Sequence, residues 1–209
     1  SLLIEFCEAY ENGAANHCDA GGPVGIWIWM CRNAVIQHCI SHDNHAGLAK
    51  DGGGFDIDGG SSNCIIQYNY SFNNEGAGYL LAEYGALFPF ANNIVRFNIS
   101  ENDGRKNNYG GIVIWGADRN YKVTNSYVYN NTIYSDDQHV INGTPSAITL
   151  LGVHFENVII ANNIFALTGN TNFINADTAI YRSSVFLLHN NYYSYSNSYK
   201  FRYGLTVFN

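Results

Sequence analysis

Apolar and polar residues alternate along this chain in short bursts, and the bursts recur. One phrase reads Asn33-Ala-Val-Ile-Gln-His-Cys39, then Asn63-Cys-Ile-Ile-Gln-Tyr-Asn69, Asn92-Asn-Ile-Val-Arg-Phe-Asn98, Asn125-Ser-Tyr-Val-Tyr-Asn-Asn131 and Asn157-Val-Ile-Ile-Ala-Asn-Asn163. Weaker copies, Ser1-Leu-Leu-Ile-Glu-Phe-Cys7 and Ser184-Val-Phe-Leu-Leu-His-Asn190, flank these, and successive starts lie 32, 30, 29, 33, 32 and 27 residues apart. A second phrase alternates with the first: Gly25-Ile-Trp-Ile-Trp29, Gly54-Phe-Asp-Ile-Asp58, Gly78-Tyr-Leu-Leu-Ala82, Gly111-Ile-Val-Ile-Trp115, Ala147-Ile-Thr-Leu-Leu151 and a degraded Ala179-Ile-Tyr-Arg-Ser183. One copy has too few apolar side chains to close a core, so each copy must stack on the next, which predicts a solenoid. Two short strands per repeat are expected, joined by Asn and Gly turns, and no segment carries a helical apolar stripe.

Side chains alternate across a strand. In the second phrase one parity is apolar throughout (Ile26/Ile28, Phe55/Ile57, Tyr79/Leu81, Ile112/Ile114, Ile148/Leu150) and is expected to face inward. The other parity (Trp27/Trp29, Asp56/Asp58, Leu80/Ala82, Val113/Trp115, Thr149/Leu151, Tyr181/Ser183) is then expected to face solvent. The column Cys39, Asn69, Asn98, Asn131, Asn163, Asn190 would stack turn upon turn, its amides bonding along the stack and to turn backbone.

Composition sharpens this picture. Asn supplies 29 of the 209 residues, Gly 21 and Tyr 16, against 3 Pro, a balance suited to many turns between strands. Net charge is −7 and no Lys/Arg cluster exists, so a nucleic-acid partner is not expected. No apolar run reaches the length of a membrane span, and no membrane partner is expected. The five cysteines (Cys7, Cys18, Cys31, Cys39, Cys64) contain no Cys-x-x-Cys pair and are expected to be mostly small buried apolar residues.

The repeated Asn column and the Gly-apolar-x-apolar strand resemble those of right-handed parallel β-helix proteins of the pectate-lyase-like superfamily, over roughly residues 1–195. The resemblance implies an all-β, right-handed parallel β-helix of about seven coils, about 30 Å long at about 4.8 Å per coil. The whole of residues 1–209 is read as one such domain, a piece of a longer protein, with Tyr192–Asn209 covering the last coil. A secreted bacterial protein acting on a polysaccharide is what the family implies. The stretch Lys50-Asp-Gly-Gly-Gly-Phe-Asp-Ile-Asp-Gly-Gly60 looks like the Asp-bearing strand of bacterial β-helix proteins, and distantly like the strand carrying catalytic aspartates in polygalacturonase-type hydrolases.

Candidate chemistry follows from the outward parity. Alternate residues on a strand lie about 6.5–7 Å apart, a separation suited to acid and base roles in glycoside cleavage, with the wider range implying inversion. Asp56 and Asp58 are the candidate catalytic pair, with Glu83 as a helper. Trp27, Trp29 and Trp115 are candidate sugar platforms, since an indole offers an apolar face and a donor. Lys50 and Arg119 are further candidate substrate contacts; with Arg96 they are also the candidate bases of a lyase. Asp51, Asp56 and Asp58, with Glu75 or Glu83, offer oxygen ligands for calcium, which many β-helix lyases use. His38, His42 and His45 fall on turn positions that other copies fill with any polar or aromatic residue. A hydrolase or lyase acting on a polysaccharide is one reading; a non-catalytic glycan-binding or structural module is the other, and fold alone does not choose.

Overall fold

The computed structural model describes residues 1–85, 87–117, 120–176 and 184–208. They form an all-β parallel solenoid with no helix. The first sheet stacks Leu2–Glu5, Ala34–Gln37, Ile65–Gln67, Ile94–Arg96, Tyr127–Tyr129, Val158–Ala161 and Val185–Leu188. The second stacks Glu8–Tyr10, Ile40–His42, Tyr70–Phe72, Ile99–Glu101, Thr132–Ser135, Ile164–Leu167 and Asn191–Ser194. The third stacks Val24–Ile28, Gly53–Ile57, Tyr79–Glu83, Gly110–Gly116, Ser146–Gly152, Asn172–Ala176 and Phe201–Tyr203, and ends in one antiparallel strand, Thr206–Phe208. Seven parallel rungs include two ends, so five are stacked on both sides. The solenoid thus has about five complete turns, fewer than the seven full coils the repeat count suggests.

Each coil has three main strands rather than the two expected. The extra strand is short, and in three successive coils its inward residue is Ser41, Ser71 or Ser100, all fully buried, so apolar alternation marks it only in the later coils, where Ile133 and Phe165 take the same position. Left-handed backbone makes the corners. Asn33, Asn63, Asn92, Asn125 and Asn157 have φ of 46–58° just before the first sheet. His38, Tyr68, Phe97, Asn130, Asn162 and His189 have φ of 53–58° just after it, and Asp43, Asn73 and Asn102 repeat the device beyond the second sheet. Asn and Asp tolerate this region better than most side chains. The sixth copy of the second phrase, Ala179–Ser183, lies outside the described residues, and the rung that pairs with Ser146–Gly152 is Asn172–Ala176 instead.

Inside, the apolar parity of each strand forms one continuous core, with Phe55, Tyr79, Ile112 and Ile148 in register down the third sheet. Amides close the corner between the first and second sheets. Cys39 N donates to Asn69 Oδ1 (2.9 Å), Asn69 N to Asn98 Oδ1 (3.0 Å), Asn98 N to Asn131 Oδ1 (3.1 Å), and Asn131 N to Asn163 Oδ1 (2.9 Å). A second inner column joins the second sheet to the third. Asn44 N donates to Asn74 Oδ1 and Asn74 N to Asp103 Oδ1, both at 3.0 Å. That corner is tight: a Cβ on Gly54 would stand 2.4 Å from Ser71 Oγ, and one on Gly25 would stand 2.1 Å from Ser41 Oγ. All five cysteines are free thiols; Cys39 and Cys64 are buried, whereas Cys7 and Cys18 are exposed, so fewer sit in the core than expected.

Candidate active site

The site grows from the outer side of the third sheet. Gly53–Ile57 lies between Val24–Ile28 and Tyr79–Glu83, which sets Asp56 opposite Trp27 on one side and Leu80 on the other. Asp58 follows the strand by one residue and points to the same side, its Oδ1 accepting from Gly59 N (2.7 Å). Upstream, Asp51 Oδ2 accepts from Gly22 N at 2.6 Å, and the Tyr109 hydroxyl bonds the same carboxylate. Asp51, Asp56 and Asp58 line one cavity of about 220 Å³, together with Lys50, Tyr84 and Trp115. Tyr84 stacks on Trp115, with ring centroids 5.2 Å apart.

This face is not the open surface that strand parity suggested. Ala77, Leu80, Ala82, Tyr109 and Val113 form a second, smaller apolar cluster over the outside of the sheet, with Trp115 and Leu151 at its rim. Under that cover Asp56 keeps only 3 % of its surface exposed, and its Oδ1 has no hydrogen-bond partner among the described residues. The cost of burying a charge falls on its ionised form. Burial, with the charges of Asp58 and Asp51 adding to it, drives the Asp56 carboxyl well above the usual carboxylate range. Asp58 is pushed up to about 6 by burial and by Asp51, against the Gly59 amide, which pulls it down. The Tyr109 hydroxyl is also raised, first by burial and then by Asp51.

The other predicted site residues divide. Lys50 and Trp115 line the cavity with the aspartates. Trp27 and Trp29 stand on the same outer face but are half exposed and take no part in lining it. Glu83 does not join the pair. It falls on the parity of Tyr79 and Leu81, is fully buried, and accepts from Gly60 N at 3.1 Å. Arg119 lies outside the described residues. The histidines belong to other surfaces. His38 stacks between Phe6 and Tyr68, His42 between Tyr10 and Phe72, and His45 pairs with Glu75 at 3.1 Å.

Asp51 accepts from the Gly22 amide and bonds the Tyr109 hydroxyl, Asp58 accepts from the Gly59 amide, and Asp56 Oδ1 has no partner among the described residues. Among the described residues no three His, Cys, Asp or Glu side chains are grouped to hold a metal ion.

Sequence reasoning missed a larger neighbour. A second cleft, of about 760 Å³, shares Lys50 and Trp115 with the acidic cavity and adds Asn107, Asn108, Tyr109, Asn142 and His154. These residues come from connections between strands rather than from the repeated phrases. Asn107 and Asn108 have φ of 62° and 59°, two left-handed residues in succession, and this Asn-Asn pair before Tyr109 is the one sequence mark of the loop.

Comparison with known proteins places one relative beside this geometry. Over 156 residues the chain is 32% identical to a lacto-N-biosidase of Bifidobacterium longum subsp. longum, a match that covers 72% of this chain and 8% of that protein. No family model matches the chain, and no solved structure matches it.

Proposed function

We propose that this chain takes part in carbohydrate hydrolysis, cleaving a glycosidic bond between Asp56 and Asp58. The observation that carries the reading is their placement two residues apart, on one side of a rigid strand, in a cavity that sets their proton affinities high and unequal. Two carboxyl groups whose environments separate their proton affinities take the acid and base roles of glycoside cleavage. Asp56, which burial biases toward its protonated form, donates its proton to the departing glycosidic oxygen. Asp58, ionised above about pH 6, draws a proton from the attacking water. The strand alternation sets the two positions about 6.5–7 Å apart, at the lower edge of the range for a single displacement through water, which inverts the anomeric centre. Trp115, backed by Tyr84, offers an apolar wall for the sugar ring. The similarity to a lacto-N-biosidase supports a glycosidase. A β-elimination is supported less, because Lys50 is the one basic side chain among the described residues lining the acidic cavity.

The test is reducing-end release from a panel of neutral glycans by the wild-type chain, Asp56→Asn and Asp58→Asn. Each substitution is expected to lower kcat by at least about 100-fold, the scale of one acid or base group. Full activity in both variants would refute the assignment. Ultraviolet absorbance from an unsaturated product would replace hydrolysis by elimination. Binding without turnover, lost on Trp115→Ala, would make the chain a glycan-binding module.

A further inference from the structure

The acidic cavity is small and its neighbour is large, and the two meet at one place. At about 220 Å³ the first falls below the size of ordinary small-molecule pockets, whereas the second, about 760 Å³, lies well inside it. Both are lined by Lys50 and Trp115. Tyr109 stands in the partition, lining the large cleft while its hydroxyl bonds Asp51 of the small one.

The linings differ in chemistry. Four carboxyl groups, those of Asp19, Asp51, Asp56 and Asp58, line the small cavity. The large cleft has no carboxylate among its described lining residues; amides dominate its polar groups. Those amides are fixed in place. Asn142 Oδ1 accepts from Asn107 N at 2.8 Å, Asn108 Oδ1 accepts from Thr144 N at 2.9 Å, and Asn107 Nδ2 donates to Lys50 O at 3.1 Å. Each bond uses one end of an amide, which among the described residues leaves the Nδ2 groups of Asn108 and Asn142 as donors. Fixed amides beside an indole suit hydroxyl and acetamido groups, which carry no charge to desolvate.

We infer that the two cavities are consecutive parts of one binding site for an uncharged oligosaccharide. A single sugar occupies the acidic cavity with its cleaved linkage at Asp56 and Asp58, the chain leaves past Lys50 and Trp115, and about two or three further sugars lie in the amide-lined cleft. This rests on the hydrolytic reading above and adds which part of the substrate goes where. An anionic sugar is excluded from the small cavity by the carboxyl groups there.

The experiment follows chain length. Neutral gluco-, galacto-, manno-, xylo- and N-acetylhexosamine oligosaccharides of two to five units are assayed for kcat/KM, beside the 4-nitrophenyl glycoside of the single sugar released. Wild type is expected to gain at least 10-fold in kcat/KM between two and four units. Asn142→Ala and His154→Ala, both in the large cleft and away from the aspartates, are expected to remove most of that gain and leave the aryl glycoside within about 2-fold. Circular dichroism confirms that each variant is folded; should Asn142→Ala fail to fold, His154→Ala alone decides. A flat dependence on length in wild type would overturn the inference, as would equal losses on long and short substrates. Activity that survives in Asp56→Asn and Asp58→Asn would instead sink the catalytic assignment. If no oligosaccharide is turned over or bound by calorimetry, both fall.

Discussion

Asp103 offers a test of the inner columns that is independent of catalysis. It ends the second column, where its Oδ1 accepts from Asn74 N (3.0 Å) and Asn74 Nδ2 (2.7 Å), and its Oδ2 accepts from Ser100 Oγ (2.6 Å). Only 1 % of its surface is exposed, and burial pushes its carboxyl up to about 6 against these bonds. In the unfolded chain an aspartate titrates near 3.9. Between about pH 4 and 6 the native state therefore holds a proton that the unfolded state has lost, so stability falls as pH rises through this window. Two pH units at 1.36 kcal/mol each give about 3 kcal/mol, fully present below pH 4 and gone above about pH 6. Asn at this position carries no such term. It also matches its neighbours, since Asn44 Nδ2 donates to Ser41 Oγ and Asn74 Nδ2 to Ser71 Oγ, at 3.1 and 3.0 Å. Asp103→Asn should thus exceed wild type by about 2–3 kcal/mol at pH 8 and by little at pH 3.5. Guanidinium denaturation at both pH values measures the gap. Asp56 and Asp58 titrate in both proteins and cancel in the difference. A gap equal at the two pH values would refute the reasoning.

Other consequences are open to measurement. Gly54→Ala would force a Cβ to within 2.4 Å of Ser71 Oγ and 3.0 Å of Gly78 O, and is expected to cost about 1–3 kcal/mol by thermal denaturation. An unchanged melting temperature would show that the corner is looser than described. For activity, kcat/KM should rise with pH through about 6 as Asp58 ionises and fall at higher pH as Asp56 loses its proton. The negative charge of Asp51 raises both groups, so Asp51→Asn should move both limbs of the profile to lower pH. A profile that keeps its limbs while losing height would make Asp51 a purely structural residue.

Period-two alternation made the first and third sheets legible, because Ile36, Ile66 and Val95, or Phe55, Tyr79 and Ile112, are apolar at the position that must face the axis. The second sheet stayed hidden because over three successive coils its inward residues Ser41, Ser71 and Ser100 are polar, satisfied by the adjoining amide column or close-packed against glycine, and apolar Ile133 and Phe165 take that position only in the later coils. For the same reason Asn44, Asn74 and Asp103 read as an ordinary turn, although they are buried. The candidate site shows the same division between what repeats and what does not. That Asp56 and Asp58 share a side follows from the strand alone. Their proton affinities do not, because Tyr109, from a connection that has no counterpart in the repeated phrases, joins the outward Leu80, Ala82 and Val113 of the repeated strands in an apolar cluster beside them. A repeat predicts its own stacking. It carries no information about a connection that folds back over its outer face, and in this chain that connection helps to bury Asp56 beside a half-buried Asp58, so that both hold their protons more tightly than surface aspartates do.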